Sequence, residues 1–139
     1  MKKTIKFLVF TIICVLITSC AGSGVEQDLW ETATYKEDKE FGNGEKTILV
    51  AVGVEENLVT FKINTDKETL GDALIEHNLI SGEKGPYGLY VKVVNGITAD
   101  YDIDQSYWSL SKDGEYMQTG VDITVISDGE HYELIYTKM

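Results

Sequence analysis

The hydrophobic pattern changes period along the chain. Thr47-Ile48-Leu49-Val50-Ala51-Val52 is a β-branched run that predicts a buried strand. Glu55-Glu56-Asn57 marks a turn, and Leu58 to Asn64 alternates with Val59, Phe61 and Ile63 on one face, which predicts a hairpin partner. The period then lengthens. Leu70, Ala73, Leu74 and His77 fall at i, i+3, i+4 and i+7, with Ile75 and Leu79 widening the stripe, so a helix is expected within 65–79. Thr65 and Glu68 have capping-box spacing at its start. Gly71 within it allows close approach to the sheet. Ser81 to Pro86 reads as a loop and Tyr87 to Val94 as a strand, followed by the tight-turn pair Asn95-Gly96. A short strand and acidic loop cover Ile97 to Asp104, and Tyr107 to Ser111 is a further strand. Lys112-Asp113-Gly114 turns the chain into a return over Glu115 to Val121. After the turn at Asp128-Gly129, the segment from His131 to Thr137 alternates as a closing strand.

This order (two strands, one helix, then several strands) predicts an α+β fold, a β-grasp-like mixed sheet holding one helix. A helix this short is marginal alone in water, so its apolar stripe must be laid on the sheet.

The first residues carry an address. Lys2, Lys3 and Lys6 precede an apolar run from Phe7 to Ile17 that is short for a membrane span and suits a signal sequence. Ile17-Thr18-Ser19-Cys20 resembles the bacterial lipobox. The resemblance implies cleavage before Cys20 and lipid on its sulfur. The expected organisation is a signal peptide over 1–19, a flexible tether over 20–45 and a domain over 46–139. Trp30, Tyr35 and Phe41 are scattered along the tether stretch, where they serve either as spacer residues or as anchors on the domain. The expected location is the extracytoplasmic face of a cell membrane.

Charge narrows the function classes. The chain has 12 basic and 23 acidic residues, and every basic residue is Lys. Such a surface repels phosphate backbones, so no nucleic acid partner is expected. Cys14 leaves with the signal and Cys20 is lipidated, so neither a disulfide nor a catalytic thiol remains. No nucleophile elbow, phosphate-binding glycine loop or zinc-protease motif occurs, and no enzyme activity is expected.

Tyr87, Tyr90, Tyr101, Tyr107, Trp108 and Tyr116 gather in the second half. Aromatics of this kind suit a flat organic ligand or a protein interface, and Trp108 and Tyr90 fit a core role equally well. Asp100-Tyr101-Asp102-Ile103-Asp104 suggests calcium, but Gln105 and Ser111 stand where an EF-hand loop needs Gly and Glu. Asp100, Asp102 and Asp104 therefore remain only weak metal candidates beside a solvated acidic loop. His77 and His131 lie in distant segments, and His77 fits the core edge.

Leu70-Gly71-Asp72-Ala73-Leu74, Tyr87-Gly88-Leu89-Tyr90-Val91, Val94-Asn95-Gly96-Ile97, Tyr107-Trp108 and Gly120-Val121, in that order, resemble the bacterial DUF4430 family. That family is similar to the C-terminal β-domain of the animal cobalamin carriers transcobalamin and intrinsic factor. The resemblance spans about Lys46 to Lys138 and implies a small-ligand-binding β-domain. It places the ligand against Tyr87, Gly88, Leu89, Tyr90, Trp108, Gly120 and Val121, with cobalamin or another corrinoid as the candidate ligand and no required cofactor. The animal carriers clamp their ligand between this domain and a helical barrel. No barrel is present in this sequence, so a transporter or another surface protein is the expected partner. An extracellular protein-interaction module and a divalent-metal-binding lipoprotein are the alternatives.

Overall fold

A computed structural model describes residues 28–139. The expected signal peptide, Cys20 and the first part of the tether lie outside the described residues. The first hairpin is β2 (Lys46–Val54) with β3 (Asn57–Thr65), antiparallel from Lys46↔Thr65 to Val54↔Asn57. Its inward face carries Ile48, Val50, Val52, Val59, Phe61 and Ile63, all buried, as the alternation requires. The last strand, β9 (His131–Lys138), lies parallel to β2 and antiparallel to β7 (Ser106–Lys112). With β1 (Lys39–Phe41) and β8 (Glu115–Tyr116) at the margins, the main sheet has the order β1-β3-β2-β9-β7-β8. The first and last long strands thus lie side by side in the middle of a mixed sheet, the β-grasp arrangement.

The helix α1 spans Leu70–Glu76, shorter than the 65–79 stretch, and buries Leu70, Gly71, Ala73 and Leu74. Its cap differs from expectation. Thr69, not Thr65, caps it, accepting from the Asp72 N–H at 3.2 Å. Thr65 stays in the hairpin opposite Lys46 and accepts from the Lys67 N–H at 3.0 Å. Glu68 lies in the bend before the helix, where its carbonyl accepts from the Ile126 N–H beside the Thr69↔Val125 bridge. Tertiary pairing with the 124–126 segment thus overrides the local capping signal. Asn78, at φ 56°, ends the helix, and the Leu79 N–H bonds back to the Leu74 carbonyl while both side chains are buried. Gly71 approaches not the sheet but a 3₁₀ turn, Val121–Ile123. A Cβ there would stand 3.1 Å from the Asp122 backbone.

Two expected irregular stretches are ordered. Ser81 to Gly85, expected as loop, belongs to strand β4 (Ile80–Gly85), which pairs with β5 (Gly88–Val94); β6 (Ile97–Thr98) completes this second sheet. The pairing partner supplies what composition lacks, with a bulge between Ser81 and Gly82 and a two-residue Pro86-Tyr87 turn between paired Gly85 and Gly88. The acidic loop is in part a one-turn helix α2 (Tyr101–Asp104). Only Glu115 and Tyr116 of the expected return strand pair with β7.

The described part of the tether, 28–45, is docked along the domain rather than free. Leu29–Thr32 forms a 3₁₀ turn, and β1 runs parallel to β3, capping its edge. Tyr35, Phe41 and Phe61 meet edge to face, with ring centroids 5.4–5.8 Å apart. Asn95 fastens this strap. It is fully buried, its amide donates to the Tyr35 carbonyl at 2.8 Å, and its side-chain oxygen accepts from the Tyr35 N–H at 2.9 Å. Its own backbone carbonyl accepts from Thr34, and its N–H donates to Leu79. Asn95 and Gly96 both have positive φ, as a type I′ turn requires.

Glu130 is the strongest charged node. Lys112 Nζ lies 2.6 Å from Oε2, the Tyr132 hydroxyl donates to the same oxygen, and the Ser127 N–H donates to Oε1 at 2.6 Å. Burial pushes this carboxyl up, but Lys112, Tyr132 and Ser127 outweigh it and hold it at about 2, against an ordinary 4.5.

Replacing Asn95 with Ala strands both Tyr35 backbone groups and places Ala at positive φ; a loss of roughly 2–3 kcal/mol in urea unfolding is expected. Because the folded-state value of Glu130 is depressed, its contribution is complete above about 4.5 and fades as pH falls towards about 2. Glu130→Gln should therefore lower stability at neutral pH by about 1–3 kcal/mol and give a shallower acid limb when stability is measured between those pH values.

Candidate functional site

Trp108 joins the two sheets. It points inward from β7, is 8% exposed, and its indole N–H donates to the Lys92 carbonyl of β5 at 3.2 Å. Its ring meets Tyr136 edge to face at 5.7 Å. The side chain is therefore part of the core and does not line a ligand surface as expected. Its hydrogen bond sets the distance between β5 and β7, and over that seam an open groove forms.

The groove has a volume of about 440 Å³ and is lined by Tyr90, Tyr101, Asp102 and Tyr107. Tyr90 comes from β5, Tyr101 and Asp102 from α2, and Tyr107 from β7, one position before Trp108 and so on the opposite face. Tyr90 is 42% exposed and Tyr101 44%, while Tyr107 is half-buried. α2 is fixed from below by Ser106. This buried hydroxyl donates to Asp104 Oδ1 and accepts from the Asp100 N–H at 3.0 Å. Asp100 caps the helix by accepting from the Asp102 N–H at 3.0 Å, and Gln105 closes it at φ 61°.

Charges flank the tyrosines. Lys92 reaches Glu83 at 3.4 Å and Asp100 at 3.7 Å, and Lys138 reaches Asp104 at 4.0 Å. Asp104 is held below the usual carboxylate range chiefly by the Ser106 hydroxyl, against the opposing effect of burial. Asp100 and Asp104 are thus occupied by caps and lysines. Among the described residues, no group of three His, Cys, Asp or Glu side chains is placed to hold a metal ion.

The other expected ligand residues divide. Tyr87 stands 95% exposed at the tip of the β4–β5 hairpin. Gly88 and Gly120 come together around Asp122, whose carboxylate would lie 2.6 Å from a Cβ at Gly88 and 2.9 Å from one at Gly120, with the Leu89 carbonyl 3.9 Å from the latter. Asp122 Oδ1 is buried without a hydrogen-bond partner. Val121 is buried beside Gly71 and belongs to the core. Of the expected set only Tyr90 lines the groove. Tyr101 and Tyr107 were visible in the sequence as aromatics, but their convergence depends on α2, which no hydrophobic period announced.

A β-grasp-like α+β domain, with helix α1 on a mixed sheet and an aromatic groove over the seam to a second sheet, is the class that the fold and groove define. The chain belongs to the DUF4430 family, described as a domain of unknown function, whose sequence model matches residues 67–138. It is similar to a "putative metal binding protein" from Ruminococcus gnavus, with 38% identity over 68% of this chain and 99% of that one, at a TM-score of 0.65. It also shares its fold with haptocorrin solved in complex with Cbi, with 20% identity, a TM-score of 0.55 and 70% of this chain covered. The match spans about a quarter of haptocorrin, 26% of its length. No curated protein matches the chain.

Proposed function

We propose that the protein is a lipid-anchored, extracytoplasmic binding protein that captures a small organic ligand in the Tyr90–Tyr101–Tyr107 groove, with a corrinoid as the first candidate. The groove itself carries the proposal: three tyrosines from three separate elements converge on one open concavity while most large apolar side chains are buried in the core. Aromatic walls offer a wide contact area to a flat molecule at little side-chain entropy cost. The haptocorrin likeness adds the corrinoid as candidate, and the lipobox-like Ile17-Thr18-Ser19-Cys20 adds the anchor. The groove is shallow and open, so one face of the ligand remains for a transporter or surface partner. Binding alone is proposed, with no catalytic step.

Strand addition is the second function a specific feature favours. Ser81 to Gly85 of β4 are exposed along a sheet edge, and the exposed Tyr87 stands beside them. A divalent-metal role draws on the Ruminococcus gnavus relative, but Asp100 and Asp104 already serve the protein's own lysines and backbone.

Calorimetric titration with cobinamide should give saturable binding that Tyr90→Ala and Tyr107→Ala each weaken by about fivefold or more, at unchanged melting temperature. Wild-type and variant heats indistinguishable from dilution would remove the corrinoid. Cys20→Ala should move the protein from the membrane fraction to the soluble one, as loss of the acyl chains predicts.

A further inference from the structure

The tyrosine groove has a charge as well as a shape. Asp102 lines it together with the three rings. The neighbouring ion pairs engage Glu83, Asp100 and Asp104, and none of those recorded among the described residues takes up Asp102. Lys92, two residues along β5 from Tyr90, is shared between Glu83 and Asp100, and Asp102 acts on the same ammonium at longer range. Three carboxylates (Glu83, Asp100 and Asp102) therefore stand against one ammonium. Lys138 is matched by Asp104. The groove is thus locally anionic, in a chain whose formal net charge is −11. Tyrosine faces carry the negative part of the ring quadrupole. Three such rings and one acidic residue lining a single groove offer a surface that attracts a compact, weakly hydrated cation. An anionic ligand would meet the same carboxylates as repulsion.

We infer that the moiety bound in this groove is an organic cation, an alkylated or quaternary ammonium group held by Tyr90, Tyr101 and Tyr107 and steered by Asp102. The inference rests on the groove being the binding site, and it puts an ammonium-bearing ligand there in place of the corrinoid, which carries no such group. A quaternary head suits the site because it keeps its charge at every pH and its methyl groups contact ring faces without needing hydrogen bonds. A metal ion would seek oxygen ligands that Asp100 and Asp104 do not have to spare. The rings stand at an open surface, so the head enters and leaves freely, and any remaining part of the ligand projects into solvent.

The test uses the detergent-solubilised full chain and follows the tyrosine ring resonances by NMR. Choline is titrated beside neohexyl alcohol, its uncharged carbon isostere. Choline should shift the Tyr90, Tyr101 and Tyr107 rings saturably and bind about tenfold more tightly than the alcohol. Asp102→Asn should weaken choline about threefold and leave the alcohol unchanged, and added salt should act in the same direction. Tyr107→Phe should retain binding, because the ring face remains, whereas Tyr107→Ala should lose it. Melting temperatures of all variants check that each is folded. Equal binding of choline and the alcohol, with no effect of Asp102→Asn, would overturn the cation and leave the groove as a site for neutral ligands. Rings unmoved by choline, by the alcohol and by cobinamide would overturn the groove as a binding site altogether.

Discussion

Asn95 is the residue that most of the architecture depends on. Its backbone forms half of a tight turn, its N–H holds the segment just after α1, and its side chain pairs both polar groups of Tyr35. One buried residue, through its side chain and its backbone, therefore ties together the strap, the second sheet and the end of the helix. Burying an amide is unfavourable unless its hydrogen bonds are made, and here they are made by backbone groups that would otherwise also lie unpaired. The strap crosses so close to Gly96 that a Cβ there would stand 2.6 Å from the Thr34 hydroxyl. The Asn-Gly pair thus serves twice, as a turn and as a dock.

Trp108 plays the corresponding part between the sheets. Its indole bond to Lys92 fixes β5 against β7, and strand alternation then turns Tyr107 outward to face Tyr90. The groove is a by-product of a core contact: the residue expected as a ligand contact is the one that holds the groove in place. Ser106, buried one position earlier, sets α2 and through it Tyr101 and Asp102. The site is supported by backbone and core, and its exposed side chains are free to meet a guest.

The hairpin β2–β3, the closing strand and the helix were legible because their apolar residues repeat at strand or helix spacing and all face one core. The features that escaped were those decided by partners distant in sequence. Thr65 has the spacing of a cap, yet its place opposite Lys46 keeps it in a strand. Ser81 to Gly85 has the composition of a loop, yet β5 pairs with it residue by residue after the bulge. Tyr35 and Phe41 show no period, because they are anchored individually on Phe61, His77 and the turn at Asn95, while Trp30 packs separately against the core. The aromatic composition of the candidate site was visible, but its geometry was not, since α2 is a single turn held by a hydroxyl and two carboxylates.

The margins of the main sheet have a consequence for a protein crowded with its copies. One margin is β1, three residues long, and the other is β8, two residues long. A further strand stacking on either would find only a rung or two of backbone to grip, with Lys39, Glu40 and Glu115 charged beside it. Without the strap, the nine-residue β3 would lie bare. The segment that reads as a mere leash thus also blunts the fusion of neighbouring molecules into fibres.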